Sequence, residues 1–356
     1  MPSGPLALFS VPVIAVVLAA LFGSLLFTLA GFDGVEIAYD IFVLPLVSPY
    51  KWPDLVVYAA PLVMIAAGLA LCFRASIWNV GVEGQYILGG IGATAVAIWT
   101  KDQSGLWILP LMMIAGALAG GVWAAGAALL RCRFGISEVI STLMLTYVAI
   151  QVLNYLVSNV WRSPTVLGMP STSYFGASQT LPPLVQGTLI HYGLVFAPIV
   201  AIAAWLAMRF TLFGFFASVA GLSPSAASFA GISAARVASA TLLTSGALAG
   251  LAGASEVSGT IGKLALNFPS GYGFSAIVVV FLARLNPVAA IPAALMIALV
   301  RVGGDLSQMR AGAPSAAAGL FEVIMLVFLL VGDAVADRVP RVLRSARAKA
   351  ERGAAA

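Results

Sequence analysis

The chain has 356 residues, of which 61% are hydrophobic and 9% charged, and its mean hydropathy is +1.05. An ordinary soluble domain carries about 25% charged residues, so a water-soluble globule is excluded and most of the surface must face lipid. A net charge of +5 does not argue for nucleic acid, because the cations stand singly between apolar runs instead of gathering on a soluble domain.

The first charge is Asp33, and the run from Leu6 to Ala30 lacks the basic start and small-residue cleavage site of a secretory signal, so it reads as a retained first helix. Uncharged runs then cover 55–73, 84–100, 103–130, 139–161, a stretch inside 163–208, and 237–255. Each can supply a spanning helix of about 17 to 25 residues. Two shorter runs, 271–283 and 288–300, precede a last one at 316–332 that only Glu322 interrupts. The expectation is an all-α, polytopic bundle of about ten transmembrane elements over residues 1–337, followed by a basic cytoplasmic tail at 338–356.

Cytoplasmic loops are enriched in Lys and Arg. With the N-terminus inside, twelve cations fall on the inner side, six of them in the tail, and six on the outer side. Both termini are therefore expected in the cytoplasm. Thirteen helical residues reach only about 20 Å against a core of about 30 Å, so 271–300 reads either as two short or tilted helices or as a re-entrant hairpin. Small-residue runs at 116–121 and 246–253 predict close helix packing. Cys72 and Cys132 form neither a disulfide framework nor a metal cluster.

Catalysis finds no support. His191 opens a span near the outer surface without a carboxylate or cysteine cluster beside it in sequence, as an interfacial structural histidine does. The nearest approach to a phosphate loop, Gly259-Thr260-Ile261-Gly262-Lys263-Leu264, lacks the earlier Gly and the hydroxyl residue after Lys. ATP and magnesium would have to be bound by another chain, and no cofactor or metal is expected here.

Two segments stand out. FRASIWNVGVEGQ, residues 73–85, packs Arg74, Asn79, Glu83 and Gln85 between apolar runs, with Gly81 and Gly84 able to bend the backbone. Arg74 reads as a cytoplasmic anchor. Asn79, Glu83 and Gln85 fit either a broken helix lining a translocation path or an interfacial loop. The inner segment 214–236 contains GLSPSAASFAGISAARV at 221–237, uncharged until Arg236. A short helix is expected from Ser223 as N-cap with Pro224 in its first position. The apolar surface of that loop needs a cover, either a partner protein or the bilayer surface, and the scarcity of Lys and Arg favours the protein. Glu138, Gln151, Asn154 and Glu256 lie inside spans. Interhelical bonding or helix-end placement accounts for most of these, with Asn154 and Glu256 as further path candidates.

At these segments the sequence resembles permease subunits of bacterial ABC importers in the nucleoside and simple-sugar (ribose-type) branch. FRASIWNVGVEGQ is similar to that branch's phrase of an aromatic, Asn, Gly and Glu-Gly-Gln, and favours the nucleoside type. GLSPSAASFAGI is similar to its cytoplasmic coupling segment, and EVISTLMLTYVA at 138–149 and GYGFSAIVVVFLARLNP at 271–287 extend the likeness over most of 54–333. The resemblance implies a multi-pass protein of the bacterial cytoplasmic (inner) membrane, driven by a separate cytoplasmic ATPase. It also implies a second permease, as a heterodimer, and an extracytoplasmic solute-binding protein. Gly221, Leu222, Ser223, Pro224, Ala226, Ala227, Phe229, Ala230, Gly231 and Ile232 would couple to the ATPase, and Asn79, Glu83, Gln85, Asn154 and Glu256 would line the path. The chain departs from the pattern at Ser223, Ser225 and Ser228, where Asn and charged residues are common, and at Phe281-Leu282-Ala283, where the family is Gly-rich. A sugar-type or riboflavin-type permease, or an ion-coupled secondary carrier, is the alternative; a membrane anchor with no path is a third reading.

Overall fold

A computed structural model describes residues 5–164 and 168–354, with side chains described over 11–164 and 168–335. The chain folds as α1 (Pro5–Leu29), α2 (Gly34–Phe42), α3 (Leu44–Val47), α4 (Trp52–Arg74), α5 (Val82–Trp99), α6 (Ile108–Phe134), α7 (Glu138–Tyr155), α8 (Phe196–Phe210), α9 (Leu212–Leu222), α10 (Pro224–Phe229), α11 (Ala234–Glu256), α12 (Tyr272–Leu282), α13 (Ala290–Arg310) and α14 (Ala317–Ala354). Among the described residues the only β pairing is two isolated bridges, Ser171 with Ala265 and Pro183 with His191. The protein is an all-α membrane bundle, and among the described residues eight helical segments are long and apolar enough to cross a bilayer.

The ten expected elements correspond to α1, α4 to α8 and α11 to α14. Of the two short runs, 288–300 is part of a helix that continues to Arg310, about 31 Å at 1.5 Å per residue. The other, α12, has 11 residues and reaches about 16 Å, roughly half the hydrocarbon core. The cations expected in the tail at 338–356 lie outside the residues whose side chains are described.

The helices form two compact units, one spanning Trp52–Ala298 and the other made of the chain up to Lys51 and from Leu299 onward, with the boundary inside α13. In the first unit α4 is a hub: it is buried almost continuously from Leu55 to Cys72 and packs against α8, α9, α11 and α12. α11 also packs against α5 and α6. Lipid gives apolar helices no hydrophobic reason to associate, so close backbone approach has to supply the packing. The small-residue runs do this. A Cβ on Gly120 would lie 2.8 Å from the Cα of Gly250, and one on Gly116 would lie 2.9 Å from the carbonyl oxygen of Gly89, so α5, α6 and α11 meet along a glycine seam. Apolar side chains are exposed on the outside of the unit, as at Leu118 and Val122 of α6 and Ile140 and Tyr147 of α7.

In the second unit α1 packs against α2 and α14, with the Phe27 and Phe321 rings stacked at 5.7 Å. Asp33 caps α2 by accepting from the backbone N–H groups of Val35 and Glu36. Glu322, the single charge in the last apolar run, accepts from Nε of Arg301 at 2.7 Å, and Asp40 faces Arg310 at 3.7 Å. A charge at membrane depth is tolerated when it is paired in this way.

Candidate translocation site and coupling surface

α4 ends in a left-handed turn at Ser76, φ 56°, closed by the N–H of Ile77 donating to the carbonyl of Cys72 at 2.9 Å. Residues 77–80 then run without helical hydrogen bonding, and Gly81, whose carbonyl accepts from the N–H of Gln85 at 3.4 Å, caps α5, which begins at Val82. This non-helical stretch is packed inside the bundle. Asn79 is fully buried, and its amide donates to Ser245 Oγ of α11 at 3.1 Å. Ser245 also meets Gly68 of α4, where an added Cβ would lie 2.9 Å from the Ser245 Cα. Because Ser245 stands eleven residues along α11 from its start at Ala234, Asn79 is about 16 Å from that helix end. Non-helical backbone at such depth is tolerated where protein surrounds it.

Three of the path candidates meet at this point. Asn79 Nδ2 donates to Gln85 Oε1 at 2.9 Å, and Gln85 Nε2 returns a bond to Asn79 Oδ1 at 3.0 Å. Glu83 accepts from the backbone N–H of Gly271 at 2.9 Å and of Gly273 at 2.5 Å. Its carboxylate therefore lies at the N-terminus of α12 as well as in the first turn of α5, and the positive ends of both helix dipoles stabilise its charge. The two interrupted elements are joined through one acidic side chain. Gly273 is needed there, since a Cβ would lie 2.7 Å from the Glu83 Cα.

The other two candidates lie apart from this junction. Asn154 is half-buried on α7, eight residues beyond Thr146, which packs on Gly84. Glu256 is buried eleven residues beyond Ser245 on α11 and accepts from Thr260 Oγ1 at 3.1 Å. The Thr260 hydroxyl is in turn 3.2 Å from His191 Nε2. His191 is buried, its Nδ1 accepts from the backbone N–H of Gly193 at 3.1 Å, and burial lowers its pKa from 6.5 to about 4. Sequence alone did not connect these three residues, because His191 and Thr260 stand 69 residues apart with α8 to α11 between them. It also missed the aromatic packing around the junction, where Tyr86 stacks on Phe268 at 4.8 Å and Tyr272 lies against both Tyr86 and Tyr58.

The segment resembling a phosphate loop serves another purpose. Residues 257–261 form a π-helical turn, Gly262 ends it at φ 69°, and Lys263 lies over the Tyr174 ring at 4.5 Å.

In the segment 214–236, Ser223 caps α10, its Oγ accepting from the N–H of Ala226 at 3.3 Å, and Pro224 occupies the first turn. Gly231 takes φ 73° and ends the element. Ala227 is buried and anchors the helix to a cluster containing Cys72, Ala220 and Leu242, whereas Leu222 is 88% and Phe229 92% exposed. A separate helix, α9, precedes the cap and ends at Leu222. Two bonds tie this segment to the end of α4: Arg74 Nε donates to Ser218 Oγ at 2.8 Å, and Ser76 Oγ donates to the carbonyl of Gly221 at 3.1 Å. A short path thus leads from α9 and α10, across the Ser76–Gly221 hydrogen bond and along the chain, to Asn79. The adjacent Trp78 is held between Phe73 and Phe281, and its backbone N–H points at Glu138 at 3.4 Å, while Glu138 is ion-paired with Arg131.

Residues 53–330 match the model of the family described as the branched-chain amino acid transport system permease component. The glucose ABC transporter permease protein of Haloferax volcanii is 31% identical over 91% of this chain and 88% of its own length. The guanosine ABC transporter permease protein of Bacillus subtilis is 30% identical over 92% and 94%. The nucleoside ABC transporter permease protein of Lactococcus lactis is 25% identical over 93% of each. With a family match over most of its length and relatives of that identity covered nearly end to end, the chain belongs to the branched-chain amino acid transport system permease family and is the multi-pass membrane permease of an ABC transporter.

Proposed function

We propose that the chain conducts a nucleoside or related purine-type solute across the bacterial cytoplasmic (inner) membrane, driven by ATP that a separate subunit hydrolyses. The observation that carries this reading is the linkage between two features: an exposed apolar knob at 221–232, and a buried polar junction at Asn79, Glu83 and Gln85 joined to it through Ser76. Closure of the ATPase would press on Leu222 and Phe229 and move α9 with the end of α4. The broken segment 77–80 absorbs that motion because it has no helical bonds to break. The amides of Asn79 and Gln85, which satisfy each other in this structure, would then turn to the solute without leaving a buried polar group unpaired.

Names of relatives support the solute class. The Bacillus and Lactococcus proteins are named for guanosine and nucleosides, and each organism has a second such permease that also matches this chain. That pairing supports a heterodimer here. A solute-binding protein outside and an ATPase carrying ATP and magnesium inside complete the complex, with the termini cytoplasmic. A simple-sugar solute is the second reading, favoured by the Haloferax glucose permease at 31% identity, and a riboflavin permease of Treponema pallidum stands further off at 22%. The test is reconstitution with the cognate ATPase, second permease and binding protein in liposomes, with uptake of labelled guanosine, glucose and riboflavin compared. ATP-dependent guanosine uptake is expected. Uptake by this chain without ATP, or driven by a proton gradient, would overturn the reading in favour of a secondary carrier.

A further inference from the structure

α4 packs against both α8 and α11, and between those two helices the first unit carries a groove floored by Leu71 of α4. Its deep part has a volume of about 580 Å³ between small residues of α8, such as Ala203 and Ala207, and Leu243 and Leu248 of α11. A second hollow of about 420 Å³ reaches Ile232, Ser233 and Arg236. Phe213 and Ala240 line both, so the two are one groove. The deep part makes no polar demand, because the Thr244 hydroxyl there donates to its own helix, to the Ala240 carbonyl at 2.8 Å.

Length and charge identify the occupant. From Arg236 to Leu248 is twelve residues of α11, or about 18 Å, close to the roughly 15 Å of hydrocarbon in one leaflet. The polar end is a single exposed cation, Arg236. The neighbouring end of α8 has Arg209 stacked over the rings of Trp205 and Phe210 at 5.4 and 5.6 Å, the Arg and aromatic signature of a headgroup level. We propose that this groove is a phospholipid site: one acyl chain lies between α8 and α11, and an anionic headgroup sits on Arg236, in the leaflet that borders the coupling segment. Ala230 and Gly231 form part of the same wall, so a bound lipid would brace the knob from its membrane side.

Full-length chain purified in detergent and exposed to an equal mixture of phosphatidylglycerol and phosphatidylcholine would be analysed by native mass spectrometry. One tightly retained phospholipid is expected, enriched in phosphatidylglycerol. Ala240→Trp, which fills the groove where its two parts join, should abolish retention. Val122→Trp, on the exposed face of α6, should not. Arg236→Gln should keep the lipid but reduce its preference for phosphatidylglycerol by roughly fivefold, the contribution of one cation near an anionic surface. Should Ala240→Trp fail to fold, Arg236→Gln decides alone, since its side chain is exposed. Equal retention in wild type and Ala240→Trp, an unchanged headgroup ratio in Arg236→Gln, or cross-linking from Ala240→Cys to a partner subunit would overturn the proposal.

Discussion

Replacing Asn79 with Leu is the sharpest probe of the buried junction. The two side chains are close in size, so little cavity is made, but three hydrogen bonds go: two exchanged with Gln85 at 2.9 and 3.0 Å and one to Ser245 at 3.1 Å. Gln85, 2% exposed, is left with a buried donor and a buried acceptor. Each stranded group costs about 1–3 kcal/mol, though in bilayers the unfolded reference finds partners of its own and measured couplings average about 0.6 and reach about 1.7 kcal/mol. Complete burial places this pair at the upper end, so Asn79→Leu and Gln85→Leu should each cost about 2–3 kcal/mol. In the double variant neither amide remains to be stranded, and its cost should also be about 2–3 kcal/mol. The coupling is then about 2 kcal/mol and no less than about 1 kcal/mol, measured from detergent-unfolding midpoints of the four proteins. Additivity within about 0.5 kcal/mol, the behaviour of independent sites, would refute the reasoning.

Phe229→Ala removes a ring that is 92% exposed, so the melting temperature should not change. If the ring is buried on docking, about 1.5–3 kcal/mol is lost, and affinity for the ATPase subunit in a titration should fall roughly tenfold to a hundredfold. Burial holds His191 neutral with a pKa of about 4 against 6.5; between those values the unfolded chain binds the extra proton, so stability is complete above about pH 6.5 and declines as pH falls toward 4. Thermal melting at pH 5 against pH 7 should show a loss of about 2 kcal/mol, and His191→Gln should flatten that slope. Gly250→Leu forces a side chain into the Gly116 backbone and should abolish folded protein in size-exclusion profiles. Gly319→Ala, which meets nothing within 4 Å, should be tolerated or slightly stabilising.

The spans were readable because uncharged runs of spanning length leave few alternatives. The cap and first turn of α10 were readable for a similar reason: Ser223-Pro224 satisfies local backbone geometry whatever surrounds it. The shortness of α12 was readable as well, because the run at 271–283 is itself too short for a full span; what holds its two ends was not. Its end is set by a turn in which Arg284 and Leu285 both take positive φ, 52° and 58°, and its start by a carboxylate 190 residues earlier in the chain. Composition placed Asn79, Glu83 and Gln85 at a polar break, but which atoms they would satisfy depended on α11 and α12 arriving beside them. Arg301 with Glu322 shows the same limit. Each reads as an isolated charge in an apolar run, and only the packing of α13 beside α14 makes them a pair at 2.7 Å.

The account rests on residues 221–232 receiving force from a protein on the cytoplasmic side. A photo-activatable residue at position 229, introduced into the assembled transporter in inverted and right-side-out vesicles, tests this directly. The account predicts a cross-link to the ATPase subunit, strengthened by ATP, together with protection from an impermeant reagent added outside. Labelling from outside, or cross-links to lipid alone in a transporter that is turning over, would contradict it.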